Sequence, residues 1–324
     1  MRVLVVGKSR PHDIAQRVRH TIARQGHETA LVNNHRVYFA LGSAATGAWL
    51  GARYAAFRPD RVILNKAIGI PPGLVRRMAA RTPTVMWYRD LRIPPDPAIV
   101  ARAREVDTLF LTAGGQVTDF EALGVRRVLY LPDGADAERD QPGEPAPEFD
   151  CDVAYLGSGD PYRAEFLAEV GKRYRLRTFG TGWEKWADQV SWQRRSVTGE
   201  DFGRACASAR IVLSVERAFQ ADTQVASYTS NRIFRVIAAG GFYLGLGSAG
   251  ARALLRDGEH CAYYESRDHA LALIERYLGD ASARECIRAT GRAFVLAHHT
   301  LAHRVHNLMT GEPFTNPLDA LRTA

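Results

Sequence analysis

The sequence predicts an α/β protein of two domains, each a doubly wound parallel sheet covered by helices. Short apolar runs of strand length alternate with helix-length segments along both halves of the chain. The segment DGADAERDQPGEPAPEFD interrupts that alternation with acidic, Pro and Gly residues and almost no aliphatic ones. The 324 residues suffice for two domains of about 150 residues each. We therefore expect a first domain over residues 1–133, a linker over 134–150 and a second domain over 151–299.

The first half predicts six parallel strands. Its apolar runs are continuous, as expected for strands that are covered on both faces. Strict alternation with helices implies right-handed crossover connections. We predict strands over residues 2–6, 29–33, 61–65, 84–88, 108–112 and 127–131. We predict helices over residues 12–25, 38–57, 72–81, 97–105 and 116–123.

The second half repeats the alternation. A helix capped by Ser230 and Asn231 ends at Gly240, and a strand, a glycine-rich loop, a helix and another strand follow as far as Glu265. Residues 184–199 have few apolar residues at helical spacing and are predicted as loop with partial helix. The remaining strands are predicted over 152–156, 175–179 and 211–215, and the remaining helices over 163–174, 201–207, 269–278, 282–297 and 300–309.

The composition is that of a soluble globular protein, with 46% hydrophobic and 24% charged residues. No apolar run approaches the roughly 20 residues that span a bilayer. The start, MRVLVVGKSR, enters a strand directly, without a signal-peptide layout. We therefore expect a cytoplasmic protein with no transmembrane segment. Four cysteines lie far apart without a C-x-x-C pair, which favours buried free thiols over a disulfide framework or a zinc site; they are Cys151, Cys206, Cys261 and Cys286.

The net charge of +8 indicates an anionic partner. A nucleotide diphosphate, an anionic membrane surface and nucleic acid all fit this charge. Arginine greatly outnumbers lysine, but the arginines are spread along most helices instead of forming one run. A solvated arginine-rich surface is the simpler explanation of that spread. Nucleic acid is a possible partner that no clustered basic and aromatic surface supports.

The glycine-rich loop of the second half allows a dinucleotide interpretation. Gly245, Gly247 and Gly250 spell G-x-G-x-x-G after a predicted strand, and Glu265 follows twenty residues later, where an acid would bind a ribose. This pattern would make the protein an NAD-dependent oxidoreductase. The fingerprint normally follows the first strand of its domain, whereas here several strands and helices precede it.

An ordered series of motifs supports a different interpretation. The series is S-N-R-I-F-x-x-x-A-A-G-G-F-Y-L, D-G-E-H, R-D-H-A-L-A-L-I-E-R-Y-L and A-T-G-R-A-F-V-L-A-H-H-T-L-A-H-R. It resembles the C-terminal half of the CgeB-type (spore maturation protein-like) branch of the group-one glycosyltransferases. The resemblance covers residues 227 to about 309, and 152–217 more loosely.

The resemblance implies a GT-B fold, in which two Rossmann-like domains face each other across a cleft. The first would bind the acceptor and the second a nucleotide-sugar donor, and residues 300–324 would form a C-terminal helix and tail that pack back on the first domain. It implies a hexosyltransferase-like enzyme without a cofactor or a required metal. The acceptor, whether a small molecule, a glycan or a protein, is not identified.

The donor site is expected at the carboxyl ends of the second domain's strands, where open parallel sheets bind ligands. By resemblance, Arg232 and the turn at Gly157 and Ser158 would face the diphosphate, because a guanidinium and backbone N–H groups bind phosphate oxygens. Tight turns alone would also explain these glycines. The other candidates are Gly180, Thr181 and Trp183 for the base; Tyr228, Ser230 and Asn231 for the phosphates or ribose; and Glu216, Arg235, Gly247, Ser248 and Gly250.

The sequence departs from the family at two positions. Classical retaining members carry two glutamates eight residues apart, and Ser227 and Arg235 stand there in this chain. The ribose contact, the stereochemical outcome and activity itself are therefore open. Arg235 is expected either to hold phosphate or to point to solvent.

The predicted strand ends of the first domain offer candidates for a general base. An inverting transferase needs such a base within reach of the acceptor hydroxyl. Asp90 and His12 are the candidates, although a structural ion pair of Asp90 with Arg89 or Arg92 is an equally simple explanation. A retaining enzyme would need no such base, and the sequence leaves the choice open.

Two further patterns suggest metal binding only weakly. His299, His303 and His306 have helical spacing but belong to the closing motif of the family, which favours a structural role. Asp150 and Asp152 form D-x-D at a predicted linker boundary. Two other functions stay open beside the oxidoreductase: a GT-B nucleotide-sugar epimerase and a non-catalytic nucleotide-sugar-binding protein.

Overall fold

A computed structural model describes residues 1–216 and 227–320. Its backbone contacts divide the chain into two compact units. The first unit comprises Met1–Asp133 and Leu301–Thr315, and the second comprises Gly134–Thr300 and the residues from Asn316 onward.

The first unit contains a six-stranded parallel sheet in the order β2-β1-β3-β4-β5-β6. The strands are β1 (Arg2–Val6), β2 (Glu28–Val32), β3 (Arg61–Asn65), β4 (Thr84–Tyr88), β5 (Thr108–Leu111) and β6 (Val128–Tyr130). The connecting helices are α1 (Ile14–Arg24), α2 (Asn34–Phe57), α3 (Pro72–Ala79), α4 (Pro97–Ala103) and α5 (Val117–Ala122). All six predicted strands and all five predicted helices of this half are present.

Both faces of the first sheet are buried, as the continuous apolar runs predicted. Along β1, Leu4 and Val6 join one core cluster, and Val3 and Val5 join the cluster on the opposite face. The second strand lies on one side of β1 and the third on the other, so the chain changes direction between β1 and β3. In doubly wound sheets, ligands bind at the carboxyl ends of strands at such a point.

The boundaries of α2 differ from the prediction. The helix begins at Asn34, four residues early, because the side chain of Asn33 accepts a hydrogen bond from the backbone N–H of Arg36 and caps it. Gly42 has φ 78° and ψ −175° and so breaks the helix into two segments. A positive φ is cheap only for glycine, which explains the residue at this kink.

The second unit contains a five-stranded parallel sheet in the order β11-β10-β9-β7-β8. Its strands are β7 (Cys151–Leu156), β8 (Leu176–Phe179), β9 (Ala209–Leu213), β10 (Tyr243–Leu246) and β11 (Ala262–Tyr264). Its main helices are α6 (Pro161–Gly171), α7 (Glu200–Ser208), α8 (Asn231–Ala238), α9 (Ala249–Leu254), α10 (Arg267–Gly279) and α11 (Ala281–His298). When the strands of each sheet are numbered in chain order, the first five have the same spatial order, 2-1-3-4-5, in both sheets. In this sheet the chain therefore changes direction between β7 and β9.

The chain returns to the first unit after α11. Helix α12 (Leu301–Thr310) packs against α1, and its Leu301, Val305 and Leu308 join the core cluster of Val3 and Val5. This confirms the predicted C-terminal helix that crosses back to the first domain. The last described helix, α13 (Pro317–Ala320), contacts α9 in the second unit. The end of the predicted tail, residues 321–324, lies outside the described residues.

Residues 134–150, which the composition predicted as a linker, are packed onto the second unit. The Asp140 carboxylate is 1% exposed and accepts a hydrogen bond from Nε of Arg235 at 2.9 Å. Phe149 is fully buried. A Cβ at Gly143 would lie 2.5 Å from the backbone nitrogen of Arg204, so the segment passes very close to α7. A few buried anchors thus hold a stretch whose composition is otherwise that of a loop.

Across residues 1–216 and 227–320, no helix is both long enough and apolar enough to cross a membrane.

Candidate functional site

A polar cluster lies at the carboxyl ends of β7 and β9, with Arg232 at its centre. The Arg232 guanidinium donates from Nη1 to Oγ of Ser214 at 2.9 Å and lies 3.8 Å from Oε1 of Glu216. Its central carbon sits 5.2 Å from the ring centroid of Tyr155. Only 16% of the Arg232 side chain is exposed. A guanidinium is therefore held, nearly out of water, at the point where this sheet changes direction.

Helix α8 positions that guanidinium. Ser230 caps the helix by accepting from the backbone N–H of Arg232 at 3.4 Å. The next apolar residues, Ile233, Phe234, Val236 and Ile237, are buried and fix the rotation of the helix. Arg232 consequently lies in the first turn, where the positive end of the helix dipole also favours an anion.

The electrostatics of this cluster keep the guanidinium charged. Burial acts to lower the pKa of Arg232, but the negative charges that Tyr155 and Glu216 can carry outweigh it, and the net direction is upward. Burial raises the pKa of the Tyr155 phenol, so this side chain is neutral at neutral pH. Ser214 also donates to Oε1 of Glu216 at 3.0 Å and so bridges the two charges. An arginine side chain has five N–H donors, so Arg232 can bind a second anion in addition to Glu216.

Gly157 is required by the approach of Arg232. A Cβ at this position would lie 2.5 Å from Nη2 of Arg232 and 3.0 Å from the Tyr155 hydroxyl. Its N–H, however, donates to the carbonyl of Phe179 at 2.9 Å, and the N–H of Gly159 donates to Thr181 at 2.8 Å. These bonds join the loops that follow β7 and β8. The expected contact of the Gly157 N–H with a diphosphate is therefore not available in this conformation, and the glycine instead makes room for the guanidinium.

The structure places Trp183 in the core, not at a ligand surface. The side chain is fully buried, its Nε1 donates to the carbonyl of Gly157 at 2.9 Å, and its ring meets Tyr155 edge-on at 5.5 Å. The loop from Gly180 to Trp183 was predicted to contact the base, and the buried Trp183 ring offers no exposed surface for such a contact in this conformation. Of that predicted set, Thr181 is exposed and Gly180 is half-buried.

A pocket beside Arg232 brings several predicted residues together. It is narrow in this conformation: about 330 Å³ of space lies between its walls, open solvent included, but only about 20 Å³ can hold the centre of a water-sized sphere. Its lining residues are Glu216, Tyr228, Thr229, Ser230, Ile233, Tyr243, Leu246, Ser248 and Ala251. Four of these residues were predicted for the donor: Glu216, Tyr228, Ser230 and Ser248. Asn231, also predicted, is half-buried next to Ser230.

Two residues of this site, Tyr155 and Ser214, were not predicted from the sequence, and they hold the guanidinium. Thr229 belongs to the segment 228–231 that was predicted to bind the phosphates or ribose, and it lines the pocket with only 4% of its surface exposed. The Thr229 hydroxyl oxygen has no hydrogen-bond partner within residues 1–216 and 227–320. A polar residue at the end of an apolar strand was an available signal for Ser214, whereas Tyr155 lies inside a strand and looks like core.

The glycine fingerprint does not form a dinucleotide loop. Gly245 lies inside β10, where a Cβ would collide with the hydroxyl of Tyr243. Gly247 donates its N–H to Tyr264 and packs against the Arg252 guanidinium, and Ser248 caps the short helix α9, in which Gly250 is buried. Glu265, the supposed ribose acid, lies 3.2 Å from Arg252. The arrangement therefore does not favour the NAD interpretation.

Arg235 neither points to solvent nor faces the pocket. Its Nε donates to Asp140 at 2.9 Å, and its guanidinium lies 4.3 Å from the ring centroid of Phe202. The expectation that it points to solvent is therefore wrong, and a role in holding phosphate stays a prediction. The residue that replaces a family glutamate anchors residues 134–150. Ser227, at the other replaced position, is half-buried.

In the first unit, Asp90 follows β4, and its carboxylate lies 2.5 Å from Nζ of Lys66. Neither neighbouring arginine is its ion-pair partner within residues 1–216 and 227–320, and Arg89 instead pairs with Asp133 at 2.6 Å. The Asp90 side chain is 44% exposed. His12 is exposed in the turn before α1. Both predicted bases can therefore be reached from solvent.

His35, at the start of α2, is a further candidate base. It is 8% exposed, and its Nδ1 has no hydrogen-bond partner in the described part of the chain. Burial, followed by the positive charges of Lys8 and Lys66, lowers its pKa. The imidazole is therefore neutral at neutral pH and able to accept a proton. It was not among the bases predicted from the sequence.

Neither candidate metal pattern forms a ligand cluster among the described residues, where no three His, Cys, Asp or Glu side chains come together suitably. His299 is buried and stacks on Phe234 at 5.3 Å, which is a structural role. Asp150 and Asp152 instead form ion pairs with arginines, at 3.0 Å from Arg175 and 2.6 Å from Arg210.

Comparisons with known proteins identify the fold. Three solved structures align over nearly the whole chain: sucrose-phosphate synthase from Thermosynechococcus elongatus, HepE of Anabaena in complex with UDP and glucose, and trehalose-6-phosphate from E. coli bound with UDP-2-fluoro glucose. Their TM-scores are 0.70, 0.65 and 0.69 at 10%, 11% and 10% sequence identity. The first two alignments cover 100% of both chains, and the third covers 96% of this chain and 98% of the other. The chain has the GT-B fold.

A protein-family model matches the second half of the chain. Residues 163–310 match the family model described as glycosyl transferase-like, which covers slightly less than half of the chain. The match begins in α6, includes Arg232 and the pocket residues, and ends with α12. None of the curated proteins matches the sequence. The segment that carries Ser214, Glu216 and Arg232 is thus similar to the glycosyl transferase-like family, which agrees with the coarser part of the resemblance.

Proposed function

We propose that this protein is a glycosyltransferase that binds a nucleotide diphosphate sugar in its second unit and transfers the sugar to an acceptor. The observation that carries the proposal is the nearly buried, charged Arg232 at the carboxyl ends of β7 and β9, beside a pocket of polar side chains. The match of residues 163–310 to the glycosyl transferase-like family supports it. HepE is described with UDP and glucose, which makes a UDP sugar the first donor to test.

In this proposal Arg232 stabilises the departing diphosphate. Cleavage of the bond between the sugar and the diphosphate leaves negative charge on phosphate oxygens, and a preorganised cation lowers the energy of that state. Nη1 is held by Ser214, so the guanidinium pays little orientational entropy when the donor binds. The negative charge of Glu216 would be balanced by the same arginine before the donor arrives.

The first unit would supply the acceptor side. In an inverting reaction, a base must remove the proton of the acceptor hydroxyl. Asp90, which is held by Lys66, is the first candidate for this base. The other two candidate bases are the exposed His12 and the neutral His35. In a retaining reaction the donor phosphate would take that proton, and replacing these residues would change the rate little.

A panel of nucleoside diphosphates tests the donor part of the proposal. The thermal unfolding midpoint should rise with one of UDP, GDP, TDP, CDP or ADP, because a ligand that binds the native state stabilises it by mass action. The matching nucleotide sugar should then release free diphosphate when a suitable acceptor is added. A response to NAD alone would reject the proposal.

One alternative is supported by an observation on this chain. Arg235 and Ser227 replace the family's two glutamates, and Arg235 is committed to Asp140. A protein without those acids could bind a nucleotide sugar without transferring it. Diphosphate binding combined with no turnover across a broad acceptor panel would favour this non-catalytic function.

A further inference from the structure

Lysine is rare in this chain, and two of its lysines lie at one point of the first sheet. Lysine and arginine together number 43, of which only four are lysine: Lys8, Lys66, Lys172 and Lys185. Lys8 follows β1 and Lys66 follows β3, and these two strands pair directly in the sheet. The charges of both lysines lower the pKa of the buried His35, so both ammonium groups lie near one imidazole. Half of the lysines of an arginine-rich chain therefore lie where this sheet changes direction.

A nearly buried amide lies beside the same strand ends. Asn65 is the last residue of β3 and is 8% exposed, yet its side-chain amide forms no hydrogen bond within residues 1–216 and 227–320. An added Cβ at Gly7, the residue after β1, would lie 3.1 Å from Cβ of Asn65, so this side chain adjoins the end of β1. Buried polar groups normally have a hydrogen-bond partner, and one without a protein partner indicates a place for a ligand or water.

The two lysines differ in their contacts. Lys8 is exposed, and its ammonium forms no ion pair or hydrogen bond with the described residues. The Lys66 ammonium lies 2.5 Å from Oδ2 of Asp90, and its side chain is 29% exposed. An ammonium has three N–H donors, so Lys66 can bind another anion as well as Asp90. One lysine is therefore available to a ligand, and the other can hold a ligand and Asp90 together.

The loops around these strand ends have an excess of positive charge. Residues 7–13, 33–36 and 66–71 contain two lysines and two arginines but only one acidic residue, Asp13. Asp13 acts on the pKa of His35 in the opposite direction, but more weakly than either lysine. A positive potential at the carboxyl ends of a parallel sheet attracts an anionic ligand. The solvated surface of this protein uses arginine, so it does not explain why lysines stand here.

We propose that the acceptor of this protein is a phosphorylated alcohol, whose phosphate binds at the carboxyl ends of β1 and β3. The proposal rests on the proposed function, because it names the substrate class of the acceptor side. Lys8 would bind phosphate oxygens directly, and the Asn65 amide would donate one hydrogen bond. Lys66 would bind a phosphate oxygen while it keeps its contact with Asp90. The acceptor hydroxyl would then lie on the side of Asp90, the first candidate base.

A phosphate matches these groups better than a carboxylate or an uncharged sugar does. A phosphate monoester carries about −1.5 to −2 charges at pH 7 and has three acceptor oxygens. These oxygens can accept from both ammonium groups and from the amide, which belong to two different strand ends. A carboxylate has a single charge and two oxygens. An uncharged sugar would leave the charge of Lys8 without a counterpart.

Acetylation of the lysines, followed by mass spectrometry of the full chain, tests this site. Each of the four lysines can be followed separately, and Lys172 and Lys185 in the second unit are internal controls. Inorganic phosphate at ten times its dissociation constant should slow acetylation of Lys8 and Lys66 about tenfold, because a bound anion shields the amines by mass action. The two control lysines should react at unchanged rates, and so should all four with acetate or chloride at the same ionic strength.

Matched variants assign the protection to these residues. Lys8→Gln should raise the dissociation constant of phosphate, measured from Lys66, at least about tenfold, because a hydrogen bond between charged groups is lost. Lys185→Gln removes the same charge elsewhere and should leave the constant unchanged. Asn65→Asp keeps the size of the side chain and adds a negative charge, so it should abolish the protection. Arg232→Ala should leave the protection intact, which would show that phosphate at the donor site does not cause it.

Sugar transfer tests the acceptor role. With the donor that binds, phosphorylated sugars and polyols should be better acceptors than their unphosphorylated forms. Lys8→Gln should raise KM for the phosphorylated acceptor at least about tenfold and change kcat less, because it removes a contact made before and during the reaction. Transfer to uncharged acceptors at a rate that Lys8→Gln leaves unchanged would overturn the proposal.

Three results of the acetylation experiment would also overturn it. Equal slowing of all four lysines would indicate ionic screening, equal protection by acetate would assign the site to carboxylates, and unchanged rates at Lys8 and Lys66 would show that phosphate does not bind there. The donor proposal fails separately, because it predicts stabilisation by a nucleoside diphosphate. Diphosphate binding without lysine protection would reject this inference alone. Lysine protection without diphosphate binding would reject the acceptor role together with the proposed function.

Discussion

Replacing Arg232 tests the proposed donor site most directly. Arg232→Ala removes a side chain that is 16% exposed, its hydrogen bond to Ser214 and its pairing with Glu216. A hydrogen bond that involves a charged group contributes about 1.5–3 kcal/mol, so we expect the free energy of unfolding to fall by about 2 kcal/mol. Loss of one preorganised donor to the leaving group should lower kcat/KM by about 10²- to 10³-fold.

Arg288→Ala is the matched control for the loss of stability. Its side chain is 21% exposed, pairs with Glu285 at 2.8 Å, and donates to the carbonyl of Gly240 at the far end of α8. We expect a similar loss of unfolding free energy and an unchanged response to the diphosphate that stabilises the wild type. Arg232→Lys should keep part of the stability but not the affinity, because an ammonium cannot replace the planar fork.

The assay combines chemical denaturation with isothermal titration of the selected diphosphate. Reduced affinity in Arg232→Ala at a temperature where both variants remain folded would support the proposed contact. The reasoning would be refuted if Arg232→Ala and Arg288→Ala bound the diphosphate equally well, because the guanidinium would then be a structural group only.

Three further predictions follow from contacts at the two sheets. Gly157→Ala should reduce diphosphate affinity at least about tenfold, because the new Cβ would lie 2.5 Å from Nη2 of Arg232 and displace the guanidinium. Titration calorimetry measures this affinity, and an unchanged value would contradict the prediction. Asp90→Asn should lower kcat by about 10²- to 10⁴-fold if it is the base, and a normal rate in a donor-consumption assay would remove it from that role. His35 has a lowered native pKa, so the unfolded state binds its proton first, and stability should fall as pH drops below 6.5 towards that lowered value. His35→Gln should flatten this part of the profile in urea unfolding, and an identical slope in both proteins would show that the buried imidazole does not cause it.

Most of the fold follows from local sequence patterns. Continuous apolar runs such as residues 2–6 and 61–65 identify strands buried on both faces, and their alternation with helices implies parallel pairing. Boundaries were less certain, as the early start of α2 shows, because a single capping contact of Asn33 decides it.

The candidate site was only partly predictable. The cap at Ser230 and the position of Arg232 in the first turn of a helix can be recognised from neighbouring residues. Tyr155 was not recognised, because a tyrosine inside an apolar strand has the same pattern whether it supports a ligand site or fills the core. The burial of Trp183 was likewise hidden, since a tryptophan in a glycine-rich loop suggests an exposed stacking surface.

The sequence by itself determined the order of strands and helices, the two parallel sheets and the helix cap at Ser230, because these depend on side-chain period, backbone freedom and short-range capping. Only the tertiary structure decided which arginine faces the strand ends and which is taken by Asp140, ninety-five residues away in the chain. It also decided that Phe39 and Leu41 stay exposed. Such outcomes depend on contacts between residues that are far apart in the sequence, and no local sequence pattern predicts those contacts.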